Sequence, residues 1–376
     1  MKKILFISHD ASRTGAPMLL FNLLIWLKNT KNINYNITVL LGDGGELQQD
    51  FSNNFKTFLL NKKYNFINKR INNIANKVYA KYLKKRIFNK NWDLIFSNTI
   101  VNGHILQQFT NKSIPKIAYV HELEDSINLF IKRGKAAKTL ELANLFFCGS
   151  QMVQQTLTEK FNIATQKTKV MYSFINFKNE LYQKKENLNI ELRKELDIHP
   201  NATVVGMLGS LINRKGPDLF FKTAAKCSEQ LFHFVWVGAN NKQELNSKLT
   251  ELNINNKNSS ILVSSANYHQ YYSLIDVLFL SSREDPYPLV MAEASAYGIP
   301  IICFDGAGGT QEFIDDKIGF IAPFEDIDFV SEKLKYFSEG NNSKKNAKYI
   351  QQKSLQWHDI EKSARIIVNE IAKLTS

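Results

Sequence analysis

The sequence has 376 residues and a formal net charge of +13 at neutral pH, and 44% of its residues are hydrophobic and 22% charged. This length allows two domains with full cores, and these fractions are typical of a soluble globular protein. The three scattered cysteines argue against a disulfide framework and favour buried thiols in a reducing cytoplasm. No apolar stretch reaches the roughly 18 residues of a transmembrane helix, so none is expected.

The N-terminus predicts a buried strand, because its apolar run, Ile4–Ile7, is too short for a signal peptide and lacks a small-residue cleavage site. The small residues Thr14 and Gly15 then precede a helix predicted to begin at Pro17. The pattern G-x-G-x-x-G is absent from this loop, which argues against a dinucleotide site. An ordinary connection between a strand and a helix would have a similar sequence.

The stretch 51–92 contains no acidic residue and carries eleven Lys and Arg residues. Apolar residues recur in it at helical spacing, namely Ile67, Ile71, Ile74, Val78, Tyr82 and Leu83. A basic amphipathic helix of this kind can lie on an anionic membrane surface. The alternative is a helix packed on its own sheet with a solvated lysine face. Nucleic acid is not expected as a partner, because no nucleic-acid-binding module accompanies the charge.

Short apolar runs alternate with helical patterns along the whole chain, which predicts parallel sheets covered on both faces. Strands are predicted at Ile4–Ile7, Ile37–Leu41, Leu94–Ser97, Ile117–Val120, Leu145–Cys148, Val170–Tyr172, Thr203–Leu208, His233–Val237, Ile261–Val263, Val277–Leu280 and Ile299–Phe304. Helices are predicted at Pro17–Leu27, Gln151–Phe161, Pro217–Cys227 and Gln243–Leu252. A polar stretch, Lys178–Pro200, separates two such α/β patterns. The chain is therefore predicted to form two Rossmann-like domains, 1–180 and 181–355, followed by a helical segment, 356–376.

His121 follows a predicted strand and begins the sequence HELED. A histidine at the carboxyl end of a strand can orient a hydroxyl group, stabilise charge or transfer a proton near neutral pH. The alternative is a histidine that is hydrogen-bonded to the backbone. The neighbouring Glu122 and Glu124 could be read as a metal site, but no group of His, Asp and Cys has zinc spacing.

The second domain begins with a strand that ends at Gly209, and the following loop carries Arg214 and Lys215 before a helix predicted at Pro217. Two cations at the carboxyl end of a strand can neutralise a diphosphate leaving group, and such stabilisation is often the largest catalytic contribution. Two solvated loop cations are the alternative interpretation.

The segment 276–320 reads as strand, acidic loop, helix, strand and glycine-rich turn, with the turn at Gly306–Gly309. Asp285 lies in the acidic loop, and Glu293 lies inside a helix that begins near Pro288 and continues through Leu289 and Val290. In doubly wound sheets, ligands bind beside loops of this kind. A helix N-terminus and a glycine loop suit a phosphate, and carboxylates suit sugar hydroxyls. The pattern therefore predicts a nucleotide-sugar site.

This segment resembles the donor site of the family-4 retaining glycosyltransferases, which have the GT-B fold. Their motif is E-x7-E, and here Asp285 and Glu293 form D-x7-E, with Pro288 where the family usually has glycine. The resemblance implies that Asp285 contacts the transferred sugar and Glu293 holds the ribose. The loop after Gly209 resembles the family motif G-R-x(3–4)-K-G, with Ser210 in place of its arginine.

The same resemblance extends more weakly over residues 1–175. It implies that His121 lies beside the transferred sugar and that Thr14 and Gly15 lie near the acceptor and the donor phosphate. We expect Gly209, Arg214, Lys215, Leu289, Val290 and Glu293 to bind the donor, and Asp285 and His121 to be catalytic. In the implied fold, two Rossmann-like domains face each other across a cleft, and the C-terminal helix returns to the first domain.

The resemblance implies transfer of a sugar from a nucleotide-diphosphate sugar to a glycan or lipid-linked acceptor in bacterial surface polysaccharide synthesis. No cofactor or metal is expected, because Arg214 and Lys215 can take the metal's role. We expect a cytoplasmic enzyme, with peripheral attachment to the inner membrane face through residues 51–92. The alternatives are another GT-B enzyme, such as a nucleotide-sugar epimerase or a phosphorylase, and a non-catalytic sugar-binding protein.

Overall fold

The structure is a computed structural model that describes residues 1–62, 69–177, 182–183, 185–239, 241–251, 258–263 and 267–376. The chain divides into two compact units. The first comprises Met1–Tyr172 and Ile360–Ser376, and the second comprises Ser173–Asp359. Among these described residues, no helix is both long and apolar enough to cross a membrane.

In the part of the first unit that the structure describes, seven parallel strands form one sheet in the order β3-β2-β1-β4-β5-β6-β7. They are β1 Lys2–Ser8, β2 Tyr35–Leu41, β3 Lys56–Leu59, β4 Leu94–Ser97, β5 Lys116–Val120, β6 Leu145–Cys148 and β7 Thr168–Val170. The central strands are continuous apolar runs because helices cover both faces of a parallel sheet. The sequence did not predict β3, which lies inside the basic stretch.

The described residues of the second unit form a six-stranded parallel sheet in the order β10-β9-β8-β11-β12-β13. Its strands are β8 Thr203–Leu208, β9 Phe232–Ala239, β10 Ser259–Val263, β11 Val277–Leu280, β12 Ile301–Phe304 and β13 Gly319–Ala322. Strand β8 lies between β9 and β11. The chain order therefore reverses at β8, and the loops after β8 and β11 leave the sheet side by side. This is the place where ligands bind in open α/β sheets.

Helices connect the strands in both units. Those of the first unit are α1 Gly15–Asn29, α2 Gln48–Asn54, α3 Lys69–Leu83, α4 Gly103–Leu106, α5 Glu124–Lys132, α6 Ala137–Leu142 and α7 Gln151–Gln155. Those of the second unit are α8 Glu186–Glu195, α9 Pro217–Lys226, α10 Lys242–Glu251, α11 Leu289–Ala296, α12 Ile327–Ser338, α13 Asn342–Lys345 and α14 Ala347–His358, and α15, Ile360–Leu374, completes the first unit. A π-helical turn, Thr156–Lys160, replaces the second half of the helix predicted at 151–161.

The C-terminal helix α15 packs on the first unit, as the predicted fold requires. The indole nitrogen of Trp26, on α1, donates a hydrogen bond to the Glu361 carboxylate at 2.9 Å. The segment predicted as helical at 356–376 is not one helix, however, because the chain is extended at Asp359, between α14 and α15. This break lets α14 stay with the second unit, where Ser354 accepts a 2.8 Å hydrogen bond from Ser295.

The first boundary between the units falls after Tyr172, ahead of the predicted position at 180. The hydrogen bonds of the following residues explain the shift. The Ser173 hydroxyl donates to the Tyr287 carbonyl at 3.0 Å. The Ile175 amide donates to the His358 carbonyl at 2.8 Å. Both partners belong to the second unit. The predicted linker position itself, around 180, lies outside the described residues.

Candidate functional site

The loops that follow β8 and β11 are joined by several hydrogen bonds. The Arg283 amide donates to the Arg214 carbonyl at 2.8 Å, and the Arg214 guanidinium donates to the Glu284 carbonyl at 2.5 Å. The Ser281 hydroxyl donates to the Lys215 carbonyl at 3.1 Å. Two predicted site segments that are far apart in the sequence therefore form one surface.

Two glycines allow this close approach. Gly216 has φ +66°, and a Cβ atom there would lie 2.0 Å from the Ser281 carbonyl oxygen. Gly308, in the glycine-rich turn, has φ +151°, and its Cβ atom would lie 1.8 Å from the Asp285 carbonyl oxygen. Both positions therefore require glycine for its backbone conformation and for the space. The turn is tied to the acidic loop by the Asp285 amide, which donates to the Ala307 carbonyl at 2.7 Å.

Asp285 is buried and lies among cations. Its carboxylate accepts a hydrogen bond from the Lys215 ammonium group, and Arg214 Nη1 lies 3.9 Å from its other oxygen. The Ser282 hydroxyl donates to the carboxylate at 3.3 Å. Burial lowers the pKa of Lys215, and the Asp285 charge opposes that shift. The structure thus brings Arg214, Lys215 and Asp285 together.

Gly209 lies at the end of β8 beside these cations. Its amide donates to the Val237 carbonyl at 2.9 Å, and its carbonyl accepts a 2.7 Å hydrogen bond from the Trp236 indole. A Cβ atom on Gly209 would come within 3.8 Å of the Lys215 side chain. Gly209 therefore forms part of the wall along which Lys215 extends.

Arg283 anchors the acidic loop through carboxylates other than those of Asp285 and Glu293. Its guanidinium donates to both Asp218 carboxylate oxygens, at 2.8 and 2.9 Å, and to Glu325 at 2.5 Å. These hydrogen bonds from Arg283 lower the pKa of Asp218. The positive charge of Arg283 is therefore compensated by carboxylates of the protein, and Arg283 fixes the acidic loop to the start of α9.

Helix α11 begins at Leu289, one residue after the predicted start. Pro288 is extended, with ψ 129°, and is the N-cap residue, which provides no side-chain cap. Leu289 and Val290 are half-buried in the first turn. An N-terminus without a side-chain cap keeps backbone donors and the positive end of the helix dipole facing outwards, which suits an anion.

Glu293 is buried, and both of its carboxylate oxygens have protein donors. The Tyr268 hydroxyl donates to Oε1 at 2.6 Å, and the Tyr272 hydroxyl donates to Oε2 at 2.7 Å. Burial and the Glu293 charge raise the pKa of both tyrosines well above the usual value. The sequence analysis missed these two tyrosines, and their only signal was the spacing YHQYY, which places both on one short 3₁₀ helix, Tyr268–Ser273.

His121, in the first unit, has a buried Nε2 atom without a hydrogen-bond partner in the described part of the chain. Burial lowers its pKa to about 3, and the charge of the nearby His9 contributes to the shift. The imidazole is therefore neutral near pH 7 and can donate or accept one hydrogen bond, but it cannot supply a positive charge.

His9, at the end of β1, and Asn98, at the end of β4, also have buried polar atoms without described partners, namely Nδ1 and Oδ1. The first-unit sheet reverses its chain order between these two strands. The sequence analysis named neither residue as a site candidate. The feature of the sequence that could have identified His9 and Asn98 is that each is a polar residue directly after a buried strand.

Thr14 and Gly15 lie at the exposed N-terminus of α1. The Thr14 hydroxyl is 2.9 Å from the Ser12 hydroxyl, and the Thr14 carbonyl accepts a hydrogen bond from the Met18 amide at 3.1 Å. Thr14 is the N-cap residue but makes no side-chain cap. The loop therefore presents small polar groups and backbone donors at the surface of the first unit.

The two acids after His121 are engaged with protein groups. Glu122 accepts a 2.8 Å hydrogen bond from the His121 amide and another from the Thr99 hydroxyl. Glu124 lies 3.7 Å from Lys160. No group of three His, Cys, Asp or Glu side chains that could hold a metal ion occurs among the residues described above.

Residues 189–354 match the family model for glycosyl transferases group 1. The chain is 28% identical over 190 residues to spore coat protein SA of Bacillus subtilis, covering 46% of this chain and 49% of that protein. It is 27% identical over 105 residues to the amylovoran biosynthesis glycosyltransferase AmsD of Erwinia amylovora, covering 28% and 29% of the two chains. The chain thus spans about half the length of one of these relatives and less of the other.

Among solved structures, the chain is similar to Anabaena HepE in complex with UDP and glucose. The TM-score is 0.76 at 19% identity, over 99% of this chain and 100% of HepE. This similarity establishes the fold, in which two Rossmann-like domains are joined in one chain. The chain as a whole therefore has the GT-B fold, and its second unit matches the group 1 glycosyl transferases over residues 189–354.

Proposed function

We propose that this chain is a family-4 retaining glycosyltransferase that uses a nucleotide-diphosphate sugar as donor. The observation that carries the proposal is the arrangement of Arg214 and Lys215 around the buried Asp285 carboxylate at the reversal point of the second sheet. The N-terminus of α11 and the glycine-rich turn adjoin the same loop. A diphosphate needs cations and backbone donors, and a sugar needs a carboxylate, and this site contains all of them.

In the proposed reaction, the bond between the anomeric carbon and the diphosphate oxygen breaks, and an acceptor hydroxyl forms the new bond on the same face of the sugar. The acceptor proton leaves with the departing diphosphate. Arg214 and Lys215 stabilise the negative charge that develops on that leaving group. Asp285 binds sugar hydroxyls, and Glu293 accepts a ribose hydroxyl in exchange for one of its tyrosine donors. We assign neutral His121 to orienting a sugar hydroxyl.

We further propose that the acceptor is a glycan or a lipid-linked glycan of a surface polysaccharide. The relative AmsD is named for amylovoran biosynthesis, which supports this class of acceptor. The enzyme is then expected to work in the cytoplasm, at the inner face of the membrane. The excess of positive charge in residues 51–92 supports electrostatic attraction to anionic lipids.

The first test measures nucleotide binding and transfer. We expect one of UDP, ADP or GDP to bind the wild-type protein, and its sugar conjugate to give a product whose anomeric configuration is retained. Arg214→Ala and Lys215→Ala should each weaken binding of that nucleotide by about ten- to a hundredfold, because each removes a charge-assisted contact. Lys194→Ala, an exposed charge on α8, is the matched control.

Unchanged nucleotide affinity in both loop variants would remove these cations from the site. Inversion at the anomeric carbon would reject the retaining reaction. If the nucleotide sugar were epimerised without an acceptor, or nothing were turned over despite binding, the transferase proposal would be wrong.

We also propose that transfer does not depend on a metal ion, because two cations and the helix N-terminus can stabilise the diphosphate. Activity is therefore expected to survive dialysis against EDTA within about twofold, whereas loss of a required metal ion would cost several orders of magnitude. The measurement is initial rate before and after chelation. Complete loss that magnesium or manganese restores would contradict the proposal.

A further inference from the structure

Helix α3 has an apolar stripe that faces solvent. The stripe consists of Ile71, Ile74, Val78 and Tyr82, whose exposed fractions are 51, 62, 63 and 44%. Single exposed apolar side chains are common on protein surfaces, but a contiguous set on one helix indicates an interaction surface. The spacing of three, four and four residues places all four within about a quarter of the helix circumference.

The opposite side of α3 attaches the helix to the first unit. The Tyr79 hydroxyl donates to the Leu59 carbonyl, at the end of β3, at 2.7 Å. Leu83 is buried in the core cluster that also contains Ile87 and Phe88. Packing on the other face therefore fixes the orientation of the stripe. Ile71, Ile74 and Val78 are each more than half exposed, whereas the Tyr82 ring is partly exposed and also lies 6.1 Å from the Phe58 ring.

Cations adjoin the stripe. Lys77 and Lys81 are exposed on α3, along one edge of the stripe. The helix continues into a π-helical turn, Lys84–Phe88, in which Lys84, Lys85 and Arg86 are exposed. The nearest acidic residues in the sequence are Asp50 and Asp93, so no carboxylate from this stretch compensates the charge.

We propose that α3 lies in the interface of an anionic lipid bilayer, with its apolar stripe inserted among the acyl chains and its cations at the headgroups. This combination of an apolar face and a cationic border is complementary to an anionic membrane. A second copy of the chain would bring two cationic borders together, and a nucleic acid would leave the stripe in water. The inference builds on the proposed function only in that the acceptor is held at a membrane.

The electrostatic attraction of the cations and the burial of the apolar stripe respond differently to salt. The attraction of the cations weakens as the Debye length shortens, whereas burial of the stripe does not depend on charge screening. Insertion therefore predicts a salt-resistant part of membrane binding, which electrostatic attraction alone does not produce.

The experiment is co-sedimentation of the full chain with vesicles of phosphatidylglycerol and phosphatidylcholine, or of phosphatidylcholine alone, across a salt series. The stripe variant is Ile74→Ser with Val78→Ser, and its control is Ile190→Ser with Leu231→Ser, two exposed apolar residues of the second unit. The charge variant is Lys77→Gln with Lys81→Gln, and its control is Lys344→Gln with Lys345→Gln, two exposed lysines on α13. Melting temperature and nucleotide binding verify that every variant is folded.

We expect the wild type to bind the anionic vesicles and the stripe variant to bind them about tenfold or more weakly at high salt. The charge variant should lose about tenfold at low salt and much less at high salt. In a Tyr82→Trp variant, added brominated lipids should quench the fluorescence of the introduced tryptophan.

Absent binding to anionic vesicles would overturn the proposal, as would a stripe variant that binds like the wild type. A wild type that is dimeric where the stripe variant is monomeric would assign the stripe to self-association instead. The vesicle assay contains neither donor nor acceptor. A chain that binds vesicles but transfers no sugar would therefore reject the proposed function alone, and a chain that transfers sugar to a soluble acceptor but ignores vesicles would reject this inference alone.

Discussion

Asp285 and Lys215 are 70 residues apart in the sequence and form an ion pair in the second unit. Asp285 is buried, so the pair has lost most of its solvation, and each charge depends on the other. Glu284, the neighbouring acid, enters the loop contacts through its carbonyl group, which accepts from Arg214. The structure therefore distinguishes two adjacent acids by their environment.

We predict that Asp285→Asn lowers the rate of sugar transfer by at least about a hundredfold, because the carboxylate that binds the sugar and balances Lys215 is lost. Glu284→Gln should leave the rate within about threefold, since a side-chain change does not remove the carbonyl contact. The measurement is initial rate for both variants, with melting temperature as a control for folding. An inactive Glu284→Gln beside an active Asp285→Asn would show that the register D-x7-E is wrong.

The loop between β8 and α9 illustrates how one element positions the site. Gly216 and Gly306 have nearly equal φ angles, +66° and +69°. A Cβ atom on Gly216 would meet the Ser281 carbonyl at 2.0 Å, whereas nothing lies within 4 Å of one on Gly306. Comparing the two glycines thus separates backbone strain from steric conflict.

We predict that Gly306→Ala lowers the free energy of unfolding by about 1 kcal/mol, the cost of a left-handed conformation for alanine. Gly216→Ala should cost at least about 2 kcal/mol more, because the loops after β8 and β11 must also separate. It should also weaken nucleotide binding, whereas Gly306→Ala should affect binding less. Urea unfolding and nucleotide titration of both variants provide the measurements. Equal stability losses would mean that the loop contact does not constrain the fold.

Buried histidines connect the stability of the whole molecule to pH. His358 is fully buried between Tyr287, 2.8 Å away, and Ser354, 3.2 Å away. Burial lowers its pKa to about 3 from the ordinary 6.5. The folded protein keeps the ring neutral, while the unfolded chain binds a proton below about pH 6.5. The contribution to stability is therefore fully present above that pH and is lost as the pH falls towards 3.

At pH 5 the expected loss from His358 is about 2 kcal/mol relative to pH 7, since each pH unit below 6.5 costs about 1.4 kcal/mol. We predict that His358→Gln flattens the dependence of the unfolding free energy on pH between 7 and 5 by about that amount. His199→Gln, at an exposed position, is the matched control. Wild type and variant are compared by the slope of the unfolding free energy against pH. A loss of stability that is equal at every pH does not change that slope. Equal slopes for wild type and His358→Gln would contradict the prediction.

The apolar pattern of the sequence was enough to predict the α/β class, the two Rossmann-like domains and most of the strands, because buried parallel strands are continuous apolar runs. The sequence also marked the start of α9 through Pro217 and the loops with the site cations and acids. It missed β3 and β13, because each has only four residues, of which one in β3 and two in β13 are buried, and this gives a weak apolar signal.

Which of these groups come into contact depends on the folded chain and could not be predicted from the sequence. The pairing of Lys215 with Asp285, the tyrosines on Glu293 and the break between α14 and α15 all depend on contacts between distant segments. Local periodicity reports which face of a helix or strand is apolar, but the order of strands in the sheet decides which loops become neighbours. The sequence could therefore name the chemical groups of the site, whereas their partners followed from the fold.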